Sequence, residues 1–380
     1  EHYPPVSCLI NCYSEGKDVA KTIDSLAHQL YPGRIEIIAI IDGAVQNGAT
    51  LQAAQASLQA TNALPRRRLI VLPKWQRGGR VSSLNAGLSI ASGSIVMALD
   101  GDTSFDNDMV ANATAHFDDP RVVALAGCLR VRNARESLAA RLQALEYMLS
   151  ISGGKTGLAQ FNVINNISGA FGVFRASFIR LIGGWDAGTA EDLDITLRIK
   201  QYFGRHPGLR IAFEPHAVGH TDAPTGWRMF WKQRLRWEGD LYYLFVRKYG
   251  LNIRPALLGW RNFLFTVVNG VLMGLLMPFF ILFYTLLMLW LLPAGTVLGL
   301  LAFIYAVYLA LAAVFFLLYV AIVSERPRQD AAYLPFLPLM PVFAFACRLH
   351  TAVAILQEVC TRSHLDSAMA PWWVLRKTKY

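Results

Sequence analysis

Asp100-Gly101-Asp102 is the stretch whose residue types speak most directly of chemistry. Two carboxylates at i and i+2 offer hard oxygen ligands of the kind Mg2+ takes, usually one or two carboxylates together with substrate phosphates. The glycine between them lets the backbone approach a ligand closely. The same triplet also reads as a polar turn after a strand, with Asp102 capping the next segment. An earlier acid, Asp42, closes an apolar run. A third acidic position is Glu191-Asp192, delivered by the small loop Gly183–Thr189 and followed by an apolar stripe of Leu193, Leu197 and Ile199. Acids there either face a substrate or complement a helix dipole. Last, Met229–Trp237 places Gln233, Arg236 and Trp237 on a strongly aromatic segment. An amphipathic helix lying on a membrane has the same composition.

These residues need elements to hold them. Val6–Tyr13, Ile35–Ile41, Arg68–Leu72 and Ser94–Leu99 are short apolar runs of strand length. Helical spacing fills Lys17–Gln29, Asn47–Thr61 and Val81–Ala91. Strands alternating with helices predict a mainly parallel sheet covered on both faces. Ligands of such sheets bind beyond the carboxyl ends of the strands. Asp42 and Asp100-Gly101-Asp102 then share one edge, where a nucleotide site belongs. Gly78-Gly79 follows a basic loop and does not make a dinucleotide fingerprint.

The chain has 380 residues, of which 54% are hydrophobic and 16% charged. Ordinary soluble domains carry about 25% charged residues, and disorder is excluded more firmly still. Phe263 to Val323 contains no Asp, Glu, Lys, Arg or His. A water-soluble body, residues 1–250, is therefore expected to precede a membrane region, residues 251–380. Phe263–Leu292 and Val297–Val323 are each long enough for a hydrocarbon core of about 30 Å. Pro293-Ala294-Gly295 joins them, and Pro278 is expected to kink the first. A third segment, 333–360, is interrupted by Pro335, Pro338 and Pro341 and carries Arg348, His350 and Glu358. It reads as a third span or, preferred, as a re-entrant piece plus a surface helix. Arg326, Arg328 and the basic tail Arg376–Lys379 lean to the cytosol. The net charge of +10 fits this placement of cations. No helix-turn-helix, zinc-finger or RNP pattern supports a nucleic-acid partner. Five cysteines without a CxxC pair are neither a disulfide framework nor a zinc site, and fit a reduced setting. Glu1 is not a natural start, so an upstream segment is expected, and no signal peptide is seen.

Asp42, Asp100-Gly101-Asp102, Glu191-Asp192 and Gln233-Arg234-Leu235-Arg236-Trp237, in this order, resemble the D, DxD, (T)ED and QxxRW signature of processive family 2 glycosyltransferases. That family includes bacterial cellulose, poly-N-acetylglucosamine, hyaluronan and chitin-type synthases. The resemblance runs from Val6 to Tyr249, with Cys12–Gly16, Ser83–Gly87 and Ser168–Phe171 in support. It departs at Ala190, where the family has Thr, and at Arg80, where Gly79–Asn85 has Arg for Lys. Glu238-Gly239-Asp240 is more acidic than most members, which bears on the acceptor.

The resemblance implies an α/β GT-A-type nucleotide-sugar-binding domain followed by α-helical transmembrane segments. It implies inverting, processive transfer of a hexose or N-acetylhexosamine from a UDP-sugar to a growing glycan, coupled to translocation. Asp192 would be the base, with Glu191 shaping its site. Asp102 and Asp100 would hold Mg2+ or Mn2+, and Asp100 would also support the nucleotide. Tyr13, Glu15 and Asp42 would hold uracil and ribose, and Arg236 the diphosphate. Gln233 and Trp237 would meet the acceptor. Placement in the inner (plasma) membrane with a cytosolic catalytic domain is implied too, with an accessory subunit or homo-oligomer completing a channel. The motifs look most like the poly-N-acetylglucosamine type. Single-transfer enzymes making ceramide or diacylglycerol glycolipids share the motifs, and a non-catalytic receptor or export subunit is the remaining alternative. Outside the signature, His216 and His220 suggest metal ligands only faintly. Pro65–Arg68 looks like an anion site but reads rather as a solvated basic turn facing anionic lipid, and Lys74–Arg77 stays open between anion site and solvated turn. Glu136–Ile151 is an amphipathic helix, either under the membrane or in a core.

Overall fold

The computed structural model describes residues 3–186 and 190–361; Thr189 and the basic tail lie outside the described residues. In chain order the elements are β1 Val6–Cys12, α1 Asp18–Ala27, β2 Ile35–Asp42, α2 Gly48–Ala56, α3 Leu58–Asn62, β3 Arg67–Lys74, α4 Gly79–Ile90 and β4 Ile95–Asp100. Next come β5 Ser104–Phe105, α5 Met109–Ala115, β6 Val122–Val131, α6 Leu138–Tyr147, α7 Lys155–Gln160, β7 Phe171–Arg175, α8 Ala176–Leu181, α9 Glu191–Lys200 and β8 Arg210–Thr221. The last are α10 Trp227–Tyr242, α11 Pro255–Phe265, α12 Met277–Leu291, α13 Ala294–Leu318, α14 Pro327–Ala331 and α15 Met340–Thr361.

The strands form one eight-stranded sheet in the order β3-β2-β1-β4-β7-β6-β8-β5. Its first four strands are parallel, as expected. β2, Ile35-Glu36-Ile37-Ile38-Ala39-Ile40-Ile41-Asp42, is buried along its whole length, the pattern of a strand covered on both faces. Register pairs Asn11 with Asp100 and Cys12 with Ile41, so Asp42 and Asp100 finish at the same edge. Past β4 the sheet reverses: β7 runs against β4 and β6, and β5 against β8. The stretch expected to be one helix over Asn47–Thr61 divides at Ser57 into α2 and α3.

Two compact units divide the chain at positions other than the sequence boundary at 250. One takes Glu1–Arg130 and Leu158–Asp222; the other takes Val131–Gly157 and continues from Ala223. The chain therefore leaves the first unit at β6, returns, and leaves again after β8. In the second unit Leu142 and Leu145 of α6 pack with Phe230 of α10, Phe316 of α13 and Phe343 of α15. The amphipathic segment Glu136–Ile151 thus belongs with the long apolar helices.

Among the described residues, three helical stretches, Pro255–Leu291, Ala294–Val323 and Leu334–Thr361, are long and apolar enough to cross a membrane. In the third, Pro335 and Pro338 sit in a 3-10 turn over Leu334–Leu339, and Pro341 lies at the start of α15. Proline is tolerated there because first-turn amides have no helical acceptor. The three prolines therefore precede or open α15 and leave its interior unbroken.

Candidate active site

The end of β2 is built around Asp42, whose side chain is buried. Its Oδ1 accepts from Lys74 Nζ at 2.9 Å and the Gly78 amide at 2.8 Å, and its Oδ2 from the Gly79 amide at 2.9 Å. Asp42 thereby caps α4 from a distant strand and neutralises the positive end of its dipole. Gly79 has φ of +78°, which glycine adopts without strain. A carboxylate has about four acceptor sites, so Asp42 keeps capacity for one more donor. The basic loop Lys74–Arg77 also sends the Arg77 guanidinium over the Tyr13 ring, 4.3 Å from its centroid.

The end of β4 is held through its backbone. The Gly101 amide donates to Asn11 O at 3.1 Å, and Thr22 Oγ1 donates to Gly101 O at 2.9 Å. Asp102 is exposed, and Thr103 Oγ1 reaches its Oδ1 at 3.4 Å. Glu15 lies beneath the turn, and a Cβ on Gly101 would come within 3.1 Å of the Glu15 carboxyl carbon. Burial, with help from the charges of Asp102 and Asp100, pushes the Glu15 carboxyl up to about 7. Glu15 Oε2 and Asn11 Oδ1 are buried without a hydrogen-bond partner.

The third acidic position starts α9. Asp192 is half-buried; its Oδ1 accepts from the Leu193 amide at 2.7 Å and its Oδ2 from Asn166 Nδ2 at 3.3 Å. Glu191 is buried, and burial pushes its carboxyl up to about 7 against the opposing pull of Arg80. Arg80, the second residue of α4, joins the two acidic elements. Its Nη1 pairs with Asp100 Oδ1, its Nε lies 2.5 Å from Glu191 Oε1, and its Nη2 donates to Gly169 O at 2.5 Å. Asn85, further along α4, exchanges two bonds with the backbone of Trp185, at 2.8 and 3.0 Å. Arg198 of α9 adds bonds to the carbonyls of Ile182 and Gly184. One helix, α4, therefore fixes the β2 end, the β4 end, the loop before α9 and α9 itself. In sequence Arg80 suggests only a cation near phosphate. The signal for its wider role is the run Gly79-Arg80…Leu84-Asn85, which puts both polar residues on one helix.

In this unit the structure brings together Tyr13, Glu15, Asp42, Asp100, Asp102, Glu191 and Asp192. Gln233, Arg236 and Trp237 lie on α10 in the second unit. There Gln143 Nε2 donates to Gln233 Oε1 at 3.2 Å, Arg234 pairs with Glu146, and Arg234 lies 5.3 Å from the Trp237 ring centroid. Arg236 and Trp237 are half-buried. Burial pushes the Glu238 carboxyl up, against the attraction of Arg234.

Asp100 and Asp102 suit a hard divalent cation. Two carboxylates at one turn, one of them exposed, are the donor set of which such a cation usually takes one or two. Among the described residues no cluster of three or more His, Cys, Asp or Glu could hold a metal. His216 is engaged by Glu214 at 2.9 Å and His220 by Asp106 at 2.8 Å. In the basic turn, Arg67 donates to the carbonyls of Ala27, Gln29, Tyr31, Gly33 and Arg66, so part of that turn is a structural latch.

A mostly parallel strand half continued by antiparallel strands, with acids at the strand ends, is the GT-A glycosyltransferase fold. The chain belongs to glycosyltransferase family 2: the model "Glycosyltransferase like family 2" matches residues 4–239. It is 29% identical over 245 residues to a poly-beta-1,6-N-acetyl-D-glucosamine synthase of Staphylococcus aureus, covering 64% of this chain and 56% of that protein. The synthase of the same name from Staphylococcus epidermidis is 27% identical over 268 residues, covering 70% and 61%. The chain thus spans less than two thirds of the length of these relatives. Among solved structures, a mannosyltransferase from Pyrobaculum calidifontis, in complex with GDP-Man and Mn2+, superposes with a TM-score of 0.58 at 18% identity. The match covers 94% of this chain and 87% of that one.

Proposed function

We propose that this glycosyltransferase is a membrane-bound polysaccharide synthase. It transfers an N-acetylhexosamine or hexose from a UDP-sugar to a growing glycan, with inversion, and passes the product through the membrane. The observation that carries the transfer reading is the joining of the Asp100-Gly101-Asp102 turn to Glu191-Asp192 through α4. The names of the staphylococcal relatives support a polymer product.

Three tasks fall to named residues. Asp102 and Asp100 hold Mg2+ or Mn2+, which when bound offsets the charge of the departing diphosphate. Asp192, half-buried at the start of α9, accepts the proton of the acceptor hydroxyl. A general base must lie within hydrogen-bond reach of that proton. Glu191 shapes the position of Asp192. Asp42, with its one remaining acceptor site, binds the uracil and ribose together with Tyr13 and Glu15. The family motif adds Arg236 for the diphosphate, a charge-assisted contact, and Gln233 and Trp237 for the acceptor.

Residues 1–250 then form the cytosolic catalytic part and 251–380 the membrane part in the inner (plasma) membrane. A second copy or an accessory subunit completes the channel. Membranes containing the full chain, given radiolabelled UDP-sugars with Mg2+ or Mn2+, are expected to form product too long to extract as a lipid. A product of one sugar on lipid would replace this reading with a glycolipid-forming transferase.

A further inference from the structure

We infer that Arg80 is a positioning residue for the transfer, a brace that sets Asp192 against the Asp100-Gly101-Asp102 turn. The inference rests on the proposed transferase reading and concerns a residue to which that reading gives no task.

The guanidinium is largely enclosed, with a side chain 13% exposed. Burial alone would weaken its charge, but Asp100 and Glu191 hold it above its ordinary value. Nη1 donates to Asp100 at the end of β4 and Nη2 to Gly169 O in the segment before β7, while the Nε side faces Glu191 at the start of α9 as an ion pair without hydrogen-bond geometry. A planar fork can donate to two such acceptors while its charge faces the third, whereas an ammonium is a single point charge. Gly169 is part of the same fit, since a Cβ there would stand 2.8 Å from Glu191 Oε1 and 3.6 Å from Arg80 Nη2. The base of the brace is fixed as well, because Asp42 holds the Gly78 and Gly79 amides immediately before Arg80.

Asp192 comes directly after Glu191, so the guanidinium sets how far the base stands from the metal-side acid. A displacement of about 1 Å in such a constellation can lower a rate by about 100-fold. Loss of a donor contact would instead raise KM. This is the split that separates a brace from a phosphate-binding cation.

The test uses the full chain in native membranes and, purified, in detergent. Arg80→Met is expected to lower kcat by about 100-fold with donor KM changed less than about threefold. Arg80→Lys is expected to recover about a tenth of the wild-type rate, since it restores the charge but not the fork. Gly169→Ala approaches the brace from the opposite side and is expected to reproduce the fall in kcat, with the thermal midpoint of the first unit kept. Hydrogen exchange in purified Arg80→Met is expected to quicken at both residues 100–103 and the first turn of α9, and not in β1 or β2. A rise in KM at unchanged kcat, or unchanged exchange at those two places, would overturn the brace. If the wild-type chain transfers no sugar from any donor, the transferase reading fails by itself, and the exchange result still decides whether Arg80 joins the two acidic elements.

Discussion

The ends of β2 and β4 look alike in sequence, each an apolar run closing on an acid, yet the fold uses them differently. Asp42 is 2% exposed and accepts from a lysine and two amides. β4 closes on Asp100, which Arg80 pairs with, but two residues on Asp102 is exposed, and its turn is carried by backbone bonds of Gly101. An acid enclosed by donors organises the structure around it and keeps only its remaining acceptor site for a ligand. An acid on a turn held by its neighbour's backbone presents its carboxylate to solvent, where a ligand can reach it. The position of an acid at a strand end selects the neighbourhood, while its donors select the role.

The largest effect that would test this contrast is at the open end. Asp102→Asn is expected to lower kcat by about 100- to 1000-fold, the scale of losing electrostatic stabilisation at a reacting centre. Its thermal midpoint should stay within about 2 °C of wild type, because the turn is held through the Gly101 backbone. A large fall in stability would erase the distinction between the two ends. Asp42→Ala should do the reverse in kind, costing about 2–4 kcal/mol in denaturant unfolding, since Lys74 and two amides lose their partner. Activity would then fall together with folding.

Glu15 gives a smaller, pH-dependent effect. Its carboxyl titrates at about 7 in the folded chain, above its ordinary value of 4.5. The folded state therefore holds this proton more tightly than the unfolded state. The stability it contributes is whole below about 4.5 and is lost as pH rises through about 7. Glu15→Gln should thus match wild type near pH 4.5 and exceed it by on the order of 3 kcal/mol at pH 8, read by unfolding at both pH values. Equal difference at the two values would mean that Glu15 is ionised throughout. Smallest of all, Thr103→Val removes the 3.4 Å contact to Asp102 and should change kcat less than about threefold. A greater loss would show that the open acid depends on its side-chain neighbour after all.

Much of the first half was legible because its signals are local. Val6–Tyr13, Ile35–Ile41, Arg68–Leu72 and Ser94–Leu99 are apolar runs whose ends are marked by acids, glycines or basic loops, and the strands fall within about two residues of them. The acids, being punctuation after those runs, could be assigned to one edge before any contact was known. The antiparallel half was less legible. β6 has no alternation to expose it, being buried almost throughout, and the two-residue β5 is defined only by its pairing with β8. In the third apolar segment the prolines look like interruptions on paper, while in space they fall where a helix begins.

By itself the sequence determined which residues carry chemistry and which stretches avoid water, because residue type and short-range spacing are properties of the chain. Asp42, Asp100, Asp102, Glu191 and Asp192 are given at that level, as is the charge-free run from Phe263 to Val323. Only the tertiary structure decided how those acids are wired. Asp100 and Glu191 are 91 positions apart in the chain and meet because a single half-buried guanidinium lies between them. Tertiary structure also placed α6 with the long apolar helices, although it precedes β7 in the chain. Contacts of this kind arise from long-range packing and the cost of leaving buried charges unpaired, and no local pattern records which partner will be found.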